Sequence, residues 1–143
     1  MADAIKAIKK RPGEMRLLDA TQYRLPPAGW VSILHRVSGL VLILLMPFVI
    51  WMFDTSLTSE VTFTQFSAAF VGGIGFVPAF LVKLAALALI WSFLQHFCAG
   101  VRHLYMDFTH SVTKEFGRTS ALVAIGVAVA LTLVFAYKLF IGY

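Results

Sequence analysis

Charged side chains are scarce in this sequence. Only 13% of its 143 residues are Asp, Glu, Lys or Arg, while 59% are hydrophobic. A soluble domain typically carries about 25% charged residues. Three long apolar segments account for the difference, which indicates an integral membrane protein. The single cysteine, Cys98, excludes an intrachain disulfide and any metal site built from cysteines of this chain alone.

Acidic residues are fewer than basic ones, and the formal net charge is +5. A basic balance can indicate nucleic-acid binding, but the basic residues here lie beside the apolar segments. This distribution is the positive-inside pattern of membrane proteins, so we expect lipid and not nucleic acid as the partner. The first 28 residues are polar and lack the apolar core of a signal peptide, and we expect them to be mature cytoplasmic sequence.

The apolar segments predict an all-α protein with one membrane domain. We expect a cytoplasmic N-terminal segment over 1–28, transmembrane helices over 29–53, 77–105 and 119–140, a periplasmic loop over 54–76 and a cytoplasmic loop over 106–118. Basic residues concentrate in the N-terminal segment and the second loop. The N-terminus is therefore predicted to be cytoplasmic and the C-terminus periplasmic.

Shorter features interrupt this pattern. Residues 4–10 are compatible with a short surface helix, and Pro47 predicts a modest kink in the first span. Ser59 precedes a segment that predicts a short helix reaching Phe70. Gly72, Gly73 and Gly75 then predict a flexible joint. Lys83, near the outer end of the second span, is expected to extend toward the outer surface.

Two histidines mark the end of the second apolar segment. His96 and His103 are seven residues apart, so on a helix they share one face and lie roughly 10 Å apart. That is about the reach from a haem iron to the haem propionates. Ionisable groups at bilayer depth are costly and tend to be functional, so His96 is predicted to ligate iron. The alternative is a histidine that bonds a neighbouring helix.

Gly100 lies between the two histidines on the same face. A missing side chain there allows either the approach of a flat macrocycle or close packing of a neighbouring helix, and the sequence does not separate the two. The chain has no Cys-x-x-Cys-His motif. A haem would therefore be bound without covalent links, as a b-type haem.

A second group of polar residues opens the first span. Ser32, His35, Arg36 and Gly39 are spaced i, i+3, i+4 and i+7, which places them on one helical face. We expect this face at the cytoplasmic interface, level with Arg102 and His103. Hydroxyl, imidazole and guanidinium donors there suit a cofactor carboxylate or a quinone carbonyl. The alternative is that the arginines merely face lipid phosphate.

These two groups resemble the cytochrome b membrane-anchor subunits of succinate dehydrogenase, respiratory complex II. The motif residues of the second span are His96, Gly100, Val101, Arg102, His103, Met106 and Asp107, and those of the first are Ser32, His35, Arg36, Ser38 and Gly39. Arg11-Pro12 matches a further element near the N-terminus. The sequence departs from the family at Thr109, where a small residue is common, and over 13–23, which lacks a Pro-His element.

The resemblance implies a role for each matched residue. His96 would be one axial ligand of haem b, and a second small membrane-anchor subunit would supply the other and complete the helical bundle. His35, Arg36 and His103 would hold the haem propionates. Ser32, Ile33 and Arg36 would line a ubiquinone pocket.

The resemblance also implies partners and a location. FAD and iron-sulfur clusters would reside in a flavoprotein subunit and an iron-sulfur subunit, in a bacterial inner membrane. The complex would pass electrons from succinate oxidation to ubiquinone, and this chain would take no part in the oxidation of succinate itself.

Two other functions remain open at this point. In a diheme cytochrome b, His96 and His110, fourteen residues apart, would stack two haems, although His110 lies beyond the polar break at Asp107. A non-haem membrane anchor or assembly subunit would use the histidines only to bridge helices.

Overall fold

A computed structural model describes residues 25–142 of the chain as five α-helices. They are α1 (Pro27–Leu44), α2 (Met46–Leu57), α3 (Glu60–Gly72), α4 (Ala79–Thr109) and α5 (Lys114–Ile141). Helices α1, α4 and α5 are long and apolar enough to cross a membrane. The all-α class with three membrane-spanning helices is confirmed. The helix predicted over 4–10 and the Arg-Pro element fall outside the described residues.

Helices α1, α4 and α5 pack against one another as a bundle. Val31 of α1, Ala99 of α4 and Ala121 of α5 are fully buried in one cluster, with Ile125 packed against it. On α5, the buried side chains are all alanines, at positions 121, 124 and 128. Lipid tails are as apolar as leucine, so membrane helices associate through close packing of small residues. These alanines allow that approach.

The first predicted span is divided into two helices. Helix α1 starts at Pro27, where a missing N–H costs nothing, and it ends at Leu44. Leu45 has φ −86° and ψ 0°, and α2 resumes with Pro47 in its first turn. A proline ring clashes with the carbonyl four residues earlier, so the helix breaks two residues before Pro47. The modest kink predicted there is thus a one-residue interruption.

Helix α3 packs against α2 and α4. The Ser59 hydroxyl accepts from the Thr62 amide, and the Thr62 hydroxyl accepts from the Ser59 amide at 3.0 Å. This reciprocal capping satisfies two amides that a helix start otherwise leaves unpaired. Phe70 anchors the helix beside Val82 and Ala86 of α4. The helix predicted after Ser59 is therefore present.

The glycines at the end of α3 lead into a turn closed by backbone hydrogen bonds, and the flexibility of this joint stays a prediction. Ile74 and Val77 exchange two backbone hydrogen bonds, both of 2.9 Å. Gly73 has φ 89°, and a Cβ built on it would lie 2.2 Å from the Val77 carbonyl oxygen. No other residue fits there, because the turn brings the backbone over this position.

Helices α4 and α5 reach beyond the predicted spans. Helix α4 continues to Thr109 and ends at His110, which has φ 53°. Helix α5 begins at Lys114, and the Thr113 hydroxyl accepts from the Phe116 amide. The loop predicted over 106–118 is thus a turn of residues 110–113. The apolar pattern marked only the membrane-buried part of each helix, since charged residues remain helical in the interface.

The Lys83 side chain was expected to extend toward the outer surface, and in the structure it contacts α5. Its ammonium lies over the Phe140 ring of α5, 5.8 Å from the ring centroid. The side chain is half-buried. A cation over an aromatic face gains a modest electrostatic attraction, which ties the start of α4 to the end of α5.

Three spanning helices predict that Thr58 and His110 lie on opposite sides of the membrane. Both are exposed in the structure. In a Cys98→Ser background, a membrane-impermeant maleimide applied to intact cells should label Thr58→Cys and not His110→Cys. Both variants should react after permeabilisation, which serves as the control. Labelling of both positions in intact cells would show that one span is misassigned.

Candidate functional site

Three histidines meet where α1 packs against α4. The His35 ring of α1 stacks on the His96 ring of α4, with centroids 4.0 Å apart and an interplanar angle of 19°. The His103 ring lies 5.4 Å from the His35 ring at a tilt of 51°. All three side chains are half-buried. The structure thus brings together His96, His103 and His35, three of the predicted site residues.

The orientation of the His96 ring is fixed by the backbone of α1. Its Nδ1 lies 3.0 Å from the His35 carbonyl oxygen. The Ser38 hydroxyl donates to the same carbonyl at 2.9 Å, and its oxygen lies 3.4 Å from His96 Nδ1. A carbonyl only accepts, so Nδ1 carries the proton in this contact. The lone pair of a neutral His96 then resides on Nε2.

Two glycines shape the space around these rings. A Cβ built on Gly39 would lie 3.1 Å from His96 Cε1, tighter than an ordinary contact. A Cβ built on Gly100 would lie 3.8 Å from His35 Nε2. The His35 imidazole therefore covers Gly100. Of the two interpretations left open for Gly100, the structure favours the helix contact, and the glycine in tight contact with the predicted iron ligand is Gly39.

The stacked pair cannot hold a macrocycle between its two rings. Carbon atoms in van der Waals contact are about 3.5–4.0 Å apart, so a centroid separation of 4.0 Å leaves no space between His35 and His96. Among residues 25–142, no three His, Cys, Asp or Glu side chains converge to hold a metal ion. The cluster is therefore suited to present one ligand atom and not to bind a metal ion alone.

An apolar cavity continues the histidine face toward the middle of the membrane. It has a volume of about 640 Å³ and is lined by Leu42, Met46, Val49, Phe53, Leu89, Ile90, Phe93, Leu94 and Phe135. Phe93 and Leu89 precede His96 by three and seven residues, and Leu42 follows His35 by seven, so these side chains share the face of the histidines. The cavity therefore lies along the face of α1 and α4 that carries the histidines, although no histidine lines it.

The predicted donor group on α1 is divided between two sides. His35 and Gly39 contact α4, whereas Arg36 is exposed and Ser32 is half-buried. Ile33 is 41% exposed. Within the described part of the chain, no hydrogen bond engages the Ser32 hydroxyl or the Arg36 guanidinium.

Arg102 does not join the layer of donors in which it was expected. Its side chain is only 8% exposed. Its Nε donates to the Ser120 hydroxyl at 3.0 Å, and its Nη2 donates to the Gly117 carbonyl at 3.2 Å. The guanidinium thus turns toward α5, away from the histidines. Ser120, a polar residue near the start of the third apolar segment, was the signal in the sequence for this contact.

Comparison with known proteins identifies the family. Residues 9–135 match the family model described as succinate dehydrogenase/fumarate reductase transmembrane subunit. The chain belongs to this family. It is 34% identical over 104 residues to a succinate dehydrogenase cytochrome b556 subunit of Coxiella burnetii, covering 73% of this chain and 78% of that protein. The protein of the same name from Paracoccus denitrificans is 28% identical over 120 residues, with 82% and 87% covered.

Membership of this family confirms the resemblance drawn from the two motifs. The chain is a membrane subunit of the succinate dehydrogenase type, with the three long apolar helices that such a subunit requires. The matched segment includes both motifs and all of the histidine cluster. The individual roles of the site residues are separate questions.

The Arg102 contact predicts a stability effect that is independent of any cofactor. Ser120→Ala leaves a charged donor without its partner, which should cost about 1–3 kcal/mol of unfolding free energy. The neighbouring Thr119 is exposed, so Thr119→Val is the matched control and should change little. Thermal unfolding of the purified complex in detergent measures both variants. Equal midpoints for the two would show that the Arg102–Ser120 bond does not hold α4 and α5 together.

Proposed function

We propose that this chain binds a b-type haem through His96 and helps to form the ubiquinone-reduction site of a succinate dehydrogenase. The observation that carries the proposal is the contact between His96 Nδ1 and the His35 carbonyl. A histidine that ligates a metal almost always donates its other ring N–H to a carbonyl or carboxylate. His96 has this arrangement, with an apolar cavity along the same face.

The residues of the histidine cluster fit a b-type haem. A haem b bound there supplies a one-electron carrier within the membrane. His96 Nε2 would be one axial ligand, held in orientation by the His35 carbonyl and the Gly39 backbone. The second axial ligand would come from a second small membrane-anchor subunit, because the His35 ring stacks against His96 and leaves no space between them. The apolar lining near Leu42 and Phe93 would exclude water.

The propionate edge of the haem would lie toward the cytoplasmic end of the helix bundle. His35 and His103 are adjacent there, and the exposed Arg36 follows His35 directly. Charge-assisted bonds from imidazolium or guanidinium to carboxylates are roughly twice as strong as neutral ones. These three residues would hold the propionates.

Ser32, Ile33 and Arg36 would contribute to a ubiquinone pocket. They lie on the outward side of α1, exposed or half-buried, so a closed pocket needs walls from other chains. A quinone that is reduced gains negative charge on its carbonyl oxygens. A hydroxyl and a guanidinium near those oxygens stabilise the charged form more than the neutral one and therefore favour reduction.

The proposed function requires further subunits. A flavoprotein subunit with FAD would oxidise succinate, and an iron-sulfur subunit would deliver electrons to the quinone. This chain would anchor both to a bacterial inner membrane, with its N-terminus cytoplasmic and its C-terminus periplasmic. The diheme alternative is disfavoured, because His110 is an exposed residue in the turn after α4 and does not face the cavity.

His96→Leu is expected to remove or alter the low-spin haem spectrum, because the iron loses its ligand from this chain. His110→Leu is the matched control, since His110 is exposed outside α4. The measurement is the reduced-minus-oxidised spectrum of equal amounts of assembled complex. An unchanged spectrum in assembled His96→Leu would refute the assignment, and no haem band in the unmodified complex would favour a non-haem anchor.

Gly39→Val should reduce haem content without removing a ligand. The added side chain meets the His96 ring at a position where Cβ alone would be 3.1 Å from Cε1, so the imidazole must rotate or shift. Overpacking at a fixed site typically costs about 1–3 kcal/mol, so we expect the haem content per complex to fall. Gly126→Val is the control, because a Cβ on Gly126 has no neighbour within 4 Å. Equal haem content in both variants would contradict the role of Gly39.

Arg36→Lys and Ser32→Ala should slow quinone reduction selectively. Lysine lacks the fork of donors that arginine presents, so a loss of roughly 10- to 100-fold is expected at Arg36 and roughly 2- to 10-fold at Ser32. The readout is the ratio of quinone-linked to dye-linked succinate oxidation. Lys138→Gln, at the opposite end of α5, is the control. Wild-type ratios in both α1 variants would mean that the quinone binds elsewhere.

A further inference from the structure

A second cavity, whose lining contains no histidine, lies where the start of α1 meets the turn between α4 and α5. It has a volume of about 380 Å³ and is lined by Pro26, Pro27, Ala28, Arg102, Met106, Val112, Thr113, Lys114, Gly117 and Arg118. Three of these residues are cations, and the lining contains no carboxylate. The wall of this cavity is therefore positively charged.

The deepest of the three cations is not neutralised by its own contacts. Arg102 is 8% exposed, and its hydrogen-bond partners within residues 25–142 are a hydroxyl and a backbone carbonyl. Both partners are neutral. A guanidinium taken out of water without a counter-charge is costly, and buried charges in membranes are normally paired. The cavity beside Arg102 is where a compensating anion has access to it.

The other two cations line the mouth of the cavity. Lys114 and Arg118 are exposed and four residues apart on α5, so they lie on one face. Helix α5 begins at Lys114, and the positive end of its dipole adds to their field. Three cations of graded burial thus surround one small volume.

The remaining lining distinguishes a lipid from a free ion. Pro26, Pro27, Met106 and Val112 present apolar surface inside the same cavity. An amphiphile satisfies both parts of this lining, whereas a hydrated inorganic ion satisfies only the basic part. The cavity also lies at the level where the apolar runs of α4 and α5 give way to the polar turn at 110–113, which is the depth of lipid headgroups.

We propose that this cavity binds the phosphate headgroup of an anionic phospholipid from the membrane leaflet on that side. Arg102, Lys114 and Arg118 contact the phosphate, and the apolar wall contacts the glycerol region and the upper part of an acyl chain. This cavity shares no lining residue with the apolar cavity that lies along the face of the histidines.

The test uses the assembled complex with Lys114→Gln/Arg118→Gln. The complex is exchanged into detergent micelles that contain phosphatidylglycerol or phosphatidylcholine with identical acyl chains, and bound lipid is measured by native mass spectrometry. Each basic residue near a membrane surface contributes about fivefold to binding of an acidic lipid, so the double variant should bind phosphatidylglycerol roughly 30-fold more weakly. Phosphatidylcholine carries the same phosphate but no net charge, so it should bind the unmodified complex more weakly and lose less on the double substitution.

Two controls make the result specific. Lys114→Arg/Arg118→Lys keeps both charges and should retain phosphatidylglycerol, which separates loss of charge from loss of fold. Lys138→Gln removes one cation at the far end of α5 and should have no effect.

Three results would overturn the proposal. The first is equal phosphatidylglycerol binding by the complex with and without the double substitution. The second is displacement of the lipid by millimolar inorganic phosphate, which would identify a site for the free ion. The third is loss of the soluble subunits from the double variant with lipid binding intact, which would identify a protein-docking surface.

Discussion

The hydrogen bond between the His35 carbonyl and His96 Nδ1 is the constraint on which the arrangement of the site depends. It joins α1 to α4 directly. The same bond turns the His96 ring so that Nε2 is the free nitrogen. The stacking of His35 on His96 follows from the same approach of the two helices, and Gly39 makes that approach possible. The close approach of α1 and α4 therefore determines both their packing and the orientation of the His96 ring.

The two faces of α4 serve different purposes. One face carries His96 and His103 toward α1, and the other turns Arg102 toward α5. Arg102 and His103 are adjacent in the sequence, so the helix directs a cation and an imidazole to different neighbours. The buried guanidinium holds α5 in place and leaves the region around the histidines free of its charge. The same residue lines the cationic cavity at the end of the bundle.

Much of the fold and part of the site follow from the sequence. Long apolar runs predict the three spans because an isolated backbone must be helical in lipid, and a seven-residue spacing predicts the shared face of His96 and His103. The sequence does not predict that His35 and Gly39 contact α4 while the other residues of the α1 group face outward. Helical periodicity alone does not say which neighbouring helix a face contacts. The partner of Arg102 and the break at Leu45 likewise depend on contacts between helices and on local geometry.

Electron cryomicroscopy of the complete complex in lipid nanodiscs tests the central claim most directly. The account predicts that His96 Nδ1 remains within hydrogen-bond distance of the His35 carbonyl, with density for a macrocycle on the Nε2 side and an axial ligand from another chain opposite. Density for a macrocycle on another residue, or a His96 ring turned so that Nδ1 faces the iron, would contradict it.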